Sequence, residues 1–468
     1  MLHKKAFLLL LTGVFLGFLI KACTLPDNTE FPDNDNFRLI GSFDVSHPAY
    51  LYDDRARDTD PDGNLLMTSF YPAFHRDYVA SVNNLEATVA FLLDQCRLAA
   101  EQSVPLSEPD IEILSYGPNA NFWPNEVQSV PEPFEDRLEC DDAVTIAYGF
   151  LVPISTIQNG AICLLNVATG ELQELTPERR PPETDTWWYH HVHWRDMNDD
   201  GLLDIVTARA EHNMKAGKLV WLEQPAADPA GQRWTEHVIG DGPDVNFVVH
   251  DIDEDGQEEI IATELYNERL SVWWQTDNDS YASWKGRVVD PELGPGFDLS
   301  VADLNNDGTA DLLATNHTNH DPEDPNDVIP SSVFAYEFPP GLYEYRTADW
   351  QRHVLLTDII TPSEDELSPG RATAFHPNVN DRGIKKPWIH IDGDGTLKTH
   401  ILQPVDPDNS TDWTYQVPEH ITLVTEESII GQSAIKDVNG DGWVELFIPA
   451  YNLGKVFIFT FAPETSSL

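Results

Sequence analysis

A nine-residue pattern written four times constrains this chain more than any other feature. Asp196-x-Asn198-x-Asp200-Gly201-x-x-Asp204 is followed by Asp251-x-Asp253-x-Asp255-Gly256-x-x-Glu259 and Asp303-x-Asn305-x-Asp307-Gly308-x-x-Asp311. The fourth copy is Asp437-x-Asn439-x-Asp441-Gly442-x-x-Glu445. Side-chain oxygens at alternate positions converge on one point when such a loop curls. Glycine supplies the positive φ of the curl, and the ninth-position carboxylate closes the cage. A donor set of hard oxygens, without Cys or His, selects calcium over zinc. The pattern therefore predicts up to four Ca2+ ions, held by the first, third, fifth and ninth residues of each copy. It is not an EF-hand, whose closing Glu stands at position 12 between two helices; these flanks are β-rich, as in VVHDID, DLLATNH and ELFIPAYN.

The surroundings repeat with the loops. Each copy has an incoming strand (HHVHW, NFVVH, FDLSVA, GQSAI), a strand after the loop (DIVTARA, EIIATEL, DLLATNH, ELFIPAY) and a third (KLVWLEQ, LSVWWQ, SVFAYEF, KVFIFTF). A fourth reads RWTEHVI, KGRVVD or WQRHVLL. Four strands at a period of roughly fifty residues describe a propeller blade. Between the third and fourth loops lies a worn copy, FHPNVNDRGIKKPWIHI, in which Asn378, Asn380, Arg382, Gly383 and Lys386 occupy positions one, three, five, six and nine. The turn is kept, and positive side chains stand where the ion would be. Two further blades with distorted loops are read upstream, giving seven inner strands that start near residues 46, 124, 190, 245, 298, 371 and 432. The last blade stops after its third strand, and NFRLIGSF at 36–43 is predicted to supply the missing fourth, leaving no open sheet edge at the seam. A helical insert is expected over 86–102, within the first blade. The fold class is thus an all-β, seven-bladed propeller over residues 36–468, after a linker at 24–35.

Composition narrows the partners. With 28 basic and 79 acidic residues the formal charge is −51, which repels phosphate backbones and excludes nucleic acid. The start MLHKK precedes fifteen apolar residues, Ala6–Ile20, too short for an ordinary membrane span and suited to the core of a secretory signal. Cys23 partly matches a lipoprotein cleavage box, with Lys21 as a departure. Residues 1–23 are therefore read as a signal peptide, a lipoprotein signal or an anchor. The body is placed outside the cytoplasm, secreted or at the cell surface, touching membrane only through that segment or a lipid on Cys23. Cys96, Cys140 and Cys163 allow at most one internal disulfide.

The four acidic loops and their flanking strands resemble the FG-GAP/VCBS repeat family, whose repeats build the seven-bladed propeller of integrin α-subunits and of many secreted proteins. The Trp-rich third and fourth strands are also similar to aldos-2-ulose dehydratase-type propellers. The resemblance spans residues 36–468 and is strongest from 185 onward. It implies calcium in the loops between first and second strands. It implies no single activity, because the fold serves adhesion, lyase and structural roles.

A functional face is expected opposite the loops. Five residues before each first ligand the chain is polar: His191, Asn246, Asp298, Thr373 and Gln432. The second strands end on the same face with Arg209, Glu211 and His212, then Glu264, Tyr266 and Asn267, then Asn316 and His317, then Tyr451 and Asn452. Such a collar can be read in three ways. As a recognition surface for carbohydrate or protein, it would use Asn246, Asn267, Asp298, Asn316, His317, Tyr451 and Asn452. As a sugar-directed lyase or dehydratase, it would use His191, Glu211, His212 and Glu264 for acid–base work. As a structural or adhesion repeat, its polar mouth would simply be solvated. Recognition is the leading expectation. His190, His191 and His193 do not form a three-His metal site from one strand, because neighbouring residues point to opposite faces.

Overall fold

The computed structural model describes residues 37–53, 64–70, 77–98, 109–117, 122–138, 142–149, 160–178, 187–211, 217–276, 283–318, 331–359, 367–396, 398–422 and 429–463. They form seven antiparallel sheets, each built on four strand positions. Blade 1 comprises Pro48–Asp53, Leu65–Ser69, Tyr78–Asn83 and Asp110–Ser115. Blade 2 comprises Pro124–Ser129, Ala143–Tyr148, Ala161–Asn166 and Glu171–Glu174. Blade 3 has an interrupted inner strand, Trp187–Tyr189 and His193–Arg195, followed by Asp204–Glu211, Gly217–Glu223 and Thr235–Asp241. Blade 4 runs through Phe247–His250, Glu259–Glu264, Arg269–Gln275 and Trp284–Asp290. Blade 5 runs through Gly296–Ala302, Asp311–Asn316, Ser332–Glu337 and Gln351–Thr357. Blade 6 runs through Ala372–Phe375, Trp388–Asp392, Lys398–Pro404 and Tyr415–Thr422.

Blade 7 contains Ala434–Lys436, Glu445–Ala450 and Lys455–Thr460, and its outer strand is Arg38–Asp44 from the other end of the propeller. The expected closure is present. Arg38 stands opposite Thr460 and Asp44 opposite Lys455, in an antiparallel ladder that shifts register between Leu39 and Gly41. The expected insert is the helix Leu85–Leu98, between the third and fourth strands of blade 1. Its Leu85, Val89 and Leu92 join the closing strand's Ile40 and Phe43 in one apolar cluster. Gly41 lets the helix approach: a Cβ there would meet the Leu92 side chain at 2.7 Å. The helix thus covers the seam on its outer side. Among the described residues no helix is long and apolar enough to cross a membrane.

The core is a set of wedges between blades. Leu66 and Val79 of blade 1 meet Val127, Ile146 and Cys163 of blade 2, and Val206 and Trp221 of blade 3 meet Phe247 and Ile260 of blade 4. The same arrangement recurs around the ring to the joint between blades 7 and 1. A sheet covered on both faces cannot alternate apolar with polar residues. This is why Glu259–Glu264, Asp311–Asn316 and Glu445–Ala450 are buried along their whole lengths. Buried threonines supply polar ties between blades: Thr263 Oγ1 donates to the Phe297 carbonyl at 3.0 Å and Thr315 Oγ1 to the Gly370 carbonyl at 3.0 Å. Cys163 is a buried free thiol; burial pushes its pKa well above the usual thiol range.

The seam offers a direct test of closure. Phe459 is 1 % exposed and stacks on Phe37 with ring centroids 4.9 Å apart. Phe459→Ala is expected to cost about 3–5 kcal/mol and to lower the melting temperature. A melting curve unchanged from wild type would show that closure does not limit stability.

Candidate functional site: acidic loops and a polar channel

The four acidic loops share one hydrogen-bond plan. The sixth-residue glycine donates its amide to the first Asp: Gly201 to Asp196 Oδ2 at 2.8 Å, and Gly256, Gly308 and Gly442 to Asp251, Asp303 and Asp437 Oδ2 at 2.9 Å. The fifth Asp accepts from the seventh amide at 2.8 Å in every copy, as Asp200 Oδ1 does from Leu202. The ninth carboxylate turns back to the second amide: Asp204 to Met197, Glu259 to Ile252, Asp311 to Leu304 and Glu445 to Val438, at 2.9–3.3 Å. Glycine at position six has φ of 84–91°. Position four is left-handed as well, at Asp199, Glu254, Asn306 and Gly440 (φ 53–69°). Only the sixth position was legible in the sequence. At the fourth, three of four copies carry a side chain despite a cost of about 1–2 kcal/mol.

The donor set fits a hard cation. Asp204, Glu259, Asp311 and Glu445 are buried at the second-strand starts. Burial, together with the nearby acids of each loop, raises their pKa values to about 6, 7, 7 and 8 against the lowering pull of backbone amides. Asp253 Oδ1 and Asp437 Oδ1 are buried without a hydrogen-bond partner. In the 251–259 loop, oxygens of Asp251, Asp253 and Glu259 all lie within 4.8 Å of one another; among the described residues no other three His, Cys, Asp or Glu side chains come so close. This loop also has a lid from blade 5. Tyr343 N donates to Asp253 Oδ2 at 2.6 Å and Tyr345 Oη to Glu259 Oε1 at 2.7 Å, while Arg346 Nε donates to Tyr345 Oη at 2.9 Å. The segment carries no local motif, and its role follows only from blade 5 lying beside blade 4.

The worn copy keeps its turn. Asn378 Oδ1 accepts from Asn380 N at 2.9 Å, Gly383 has φ 71°, and buried Lys386 donates its ammonium to the Asp412 carbonyl. A lysine amine thus occupies the position where the other loops place a ninth carboxylate.

At the opposite end, the expected His/Glu cluster is partitioned differently. His191 Nδ1 lies 2.8 Å from Glu126 Oε1, and Glu126 Oε2 accepts from Val192 N at 2.6 Å. Glu126 therefore spans the interruption in blade 3's inner strand from blade 2. Glu264 is fully buried, and its Oε2 accepts from Arg269 Nε at 2.6 Å and Asn267 Nδ2 at 2.7 Å. Glu211 stands opposite Trp187 at the end of its strand, and His212 lies outside the described residues. The acid that pairs with His191 is thus Glu126, which the sequence reading missed: no spacing rule connects residues of adjacent blades.

Several expected mouth residues serve the scaffold. Asn316 is buried, donating from Nδ2 to the Leu293 carbonyl at 3.0 Å and accepting from Ser332 N at 2.6 Å. His317 stacks on Phe297 at 4.1 Å, with Nδ1 2.8 Å from the Pro369 carbonyl, and burial lowers its pKa to about 4. Tyr451 is buried and donates to the Phe70 carbonyl. Asn267 and Asn452 are exposed at turns. Asn246 Nδ2 donates to the Phe297 carbonyl at 3.1 Å and lies 3.5 Å from Asp298 Oδ1. Asp298 Oδ2 in turn is 3.8 Å from Arg371 Nε. Burial raises Asp298 to about 6, opposed by Arg371 and His191. His191, Asn246, Asp298 and Arg371 thus form a polar belt along the inner strands, with Gln432, whose Nε2 donates to the Leu51 carbonyl at 3.2 Å, continuing the ring to blade 1.

Burial pulls the His191 pKa down, and the Glu126 charge and hydrogen bond outweigh it, leaving a net rise above the ordinary value. The pair's contribution to stability is therefore full below the unfolded histidine pKa and fades as pH climbs through the raised one. Glu126→Gln is expected to drop the His191 pKa below that of wild type, read by NMR of labelled histidine. An unchanged titration would refute the assignment of Glu126 as its partner.

Comparison with known proteins gives two kinds of likeness. The profile of the FG-GAP-like repeat matches residues 216–314. No curated protein matches. Among solved structures, the Dos1 propeller aligns at TM-score 0.45 with 8% identity, covering 92% of this chain and 97% of that one. A candidate 6-phosphogluconolactonase from Bacteroides fragilis aligns at TM-score 0.42 with 10% identity, covering 80% of this chain and 84% of the other. With seven four-position sheets closed by a shared blade, and that match within it, the chain is a seven-bladed β-propeller carrying an FG-GAP-like repeat.

Proposed function

We propose that this protein is an extracytoplasmic recognition propeller whose four acidic loops bind calcium and whose polar channel end takes a carbohydrate or protein ligand. The observation that carries the calcium reading is the fourfold loop plan, with all-oxygen donors and buried, unpartnered oxygens at Asp253 Oδ1 and Asp437 Oδ1. The ligands would be Asp196, Asn198, Asp200 and Asp204 in blade 3, and the corresponding residues of the 251–259, 303–311 and 437–445 loops. A divalent ion offsets the repulsion among acids that a net charge of −51 otherwise concentrates at each turn. Loops of this exposure suit the high free calcium outside the cytoplasm, where extracellular modules bind at roughly 10⁻⁴–10⁻³ M. The apolar N-terminal run, outside the described residues, supports the same location. The recognition reading rests on the partly exposed polar belt of the inner strands.

Calcium binding to the native state alone stabilises it by mass action. Melting curves of the secreted chain are expected to shift upward by several degrees in millimolar calcium and to fall in excess chelator. Metal analysis should return about four ions per chain. Identical melting with and without chelator would sink the reading.

The blade 5 lid makes the 251–259 loop individually testable. Tyr345→Phe removes the hydroxyl from a buried carboxylate oxygen, at a cost of about 1–3 kcal/mol. It is expected to weaken one class of site in a calcium titration and leave the others unchanged. A titration superimposable on wild type would show that the lid does not contribute.

A further inference from the structure

The recognition reading names no ligand, but the centre of the channel carries enough chemistry to name a class. Arg371 sits at the convergence of the blades. Its charge is felt by Tyr52 of blade 1, His191 of blade 3, Asp298 of blade 5 and Asp392 of blade 6. Its Nε makes no hydrogen bond, nor does the buried Asp298 Oδ2 that faces it at 3.8 Å. That gap is too long for a direct hydrogen bond, and two unsatisfied charged atoms left beside each other are costly. The third feature is His191. Glu126 holds its Nδ1, so Nε2 is the ring nitrogen left for a ligand, an acceptor above the raised His191 pKa and a donor below it, and the side chain is 29% exposed. The Arg371 side chain is 36% exposed, although its Nε is closed to solvent.

We propose that this belt is a binding site for a neutral, hydroxyl-rich ligand of monosaccharide size, held by Arg371, Asp298 and His191. Arg371 Nε and Asp298 Oδ2 are both closed to solvent, so the two side chains part to let one ligand hydroxyl accept from the first and donate to the second. A second hydroxyl pairs with His191 Nε2, donating to the neutral ring and accepting from the charged one. A hydroxyl is both donor and acceptor, which neither a carboxylate nor an ammonium is. Asp298 and Asp392 already face the Arg371 charge, so an anionic sugar would compete with two carboxylates for it. The partly buried rings of Tyr50 and Tyr52, 6.5 Å apart between centroids, give apolar surface for a sugar's C–H face.

The test is saturation-transfer NMR on the full secreted chain in calcium, with glucose, galactose, mannose and xylose as neutral probes and glucuronate as the anionic one. Transfer to at least one neutral sugar, absent for glucuronate, is expected. It should fall at least fivefold in His191→Phe and in Arg371→Lys; the latter keeps the charge and removes the Nε donor. Variants are compared where they keep the wild-type calcium-dependent melting curve. Transfer to glucuronate alone, or to no sugar, overturns the proposal, while an intact calcium shift in the same sample leaves the loop reading standing. Transfer undiminished in both variants also overturns it, and places sugar recognition elsewhere on the propeller.

Discussion

Every feature of this protein depends on closing a ring. A four-stranded blade buries both faces only when it has a neighbour on each side, so the first and last blades each keep an open face until the wedge between blades 7 and 1 forms. The strand Arg38–Asp44 accomplishes this by pairing with Lys455–Thr460. It brings Ile40, Phe43 and Val45 into the cluster that also contains Leu51 and Met67 of blade 1 and Phe447 and Ile458 of blade 7. The helix Leu85–Leu98 then packs over that strand. Joining residues so far apart in sequence carries a loop-closure cost that grows only slowly with separation, whereas the apolar area gained at the joint is that of a full blade interface.

Closure also organises the polar groups. The inner strands of all blades converge on one axis, and residues unremarkable in their own blades become partners there. Glu126 reaches from blade 2 to fix His191 and Val192 in blade 3. Ser433 of blade 7 donates to Asp392 of blade 6 through both its amide and its hydroxyl, at 3.1 and 2.5 Å. Burial still raises Asp392 to about 7, because a carboxylate among other carboxylates and away from water resists ionisation. The axis is thus dense in charge, and where its groups are buried, as at Asp392, polar contacts are strongest and unpaired atoms most costly.

The acidic loops stand at the other end of the same inner strands. The ninth residue of each loop opens the second strand, which is buried along its length in blades 4, 5 and 7. A change in the loop's charge balance is therefore felt by a strand at the heart of its blade. In blade 4 the connection extends sideways, since Tyr345 of blade 5 joins both the interface cluster and the Glu259 carboxylate. An ion in that loop would bear on two blades at once.

Much of the architecture was legible in the sequence. The acidic nonapeptides, their flanking strands, the worn copy at 378–386, the helical insert and the strand that closes the ring all follow from local patterns, because turn chemistry and strand periodicity are properties of consecutive residues. The mouth was less legible. Asn316, His317 and Tyr451 look like ligands in a row of polar residues, yet the ring turns each toward a backbone carbonyl of another segment. Glu126 gives no sign in its own strand of the histidine it holds, and neither Tyr343 nor Tyr345 of the loop it covers. The sequence by itself determined the blades, their number and their loops. Only the tertiary structure decided which polar side chains meet, because those meetings join residues tens of positions apart whose proximity exists only once the ring is closed.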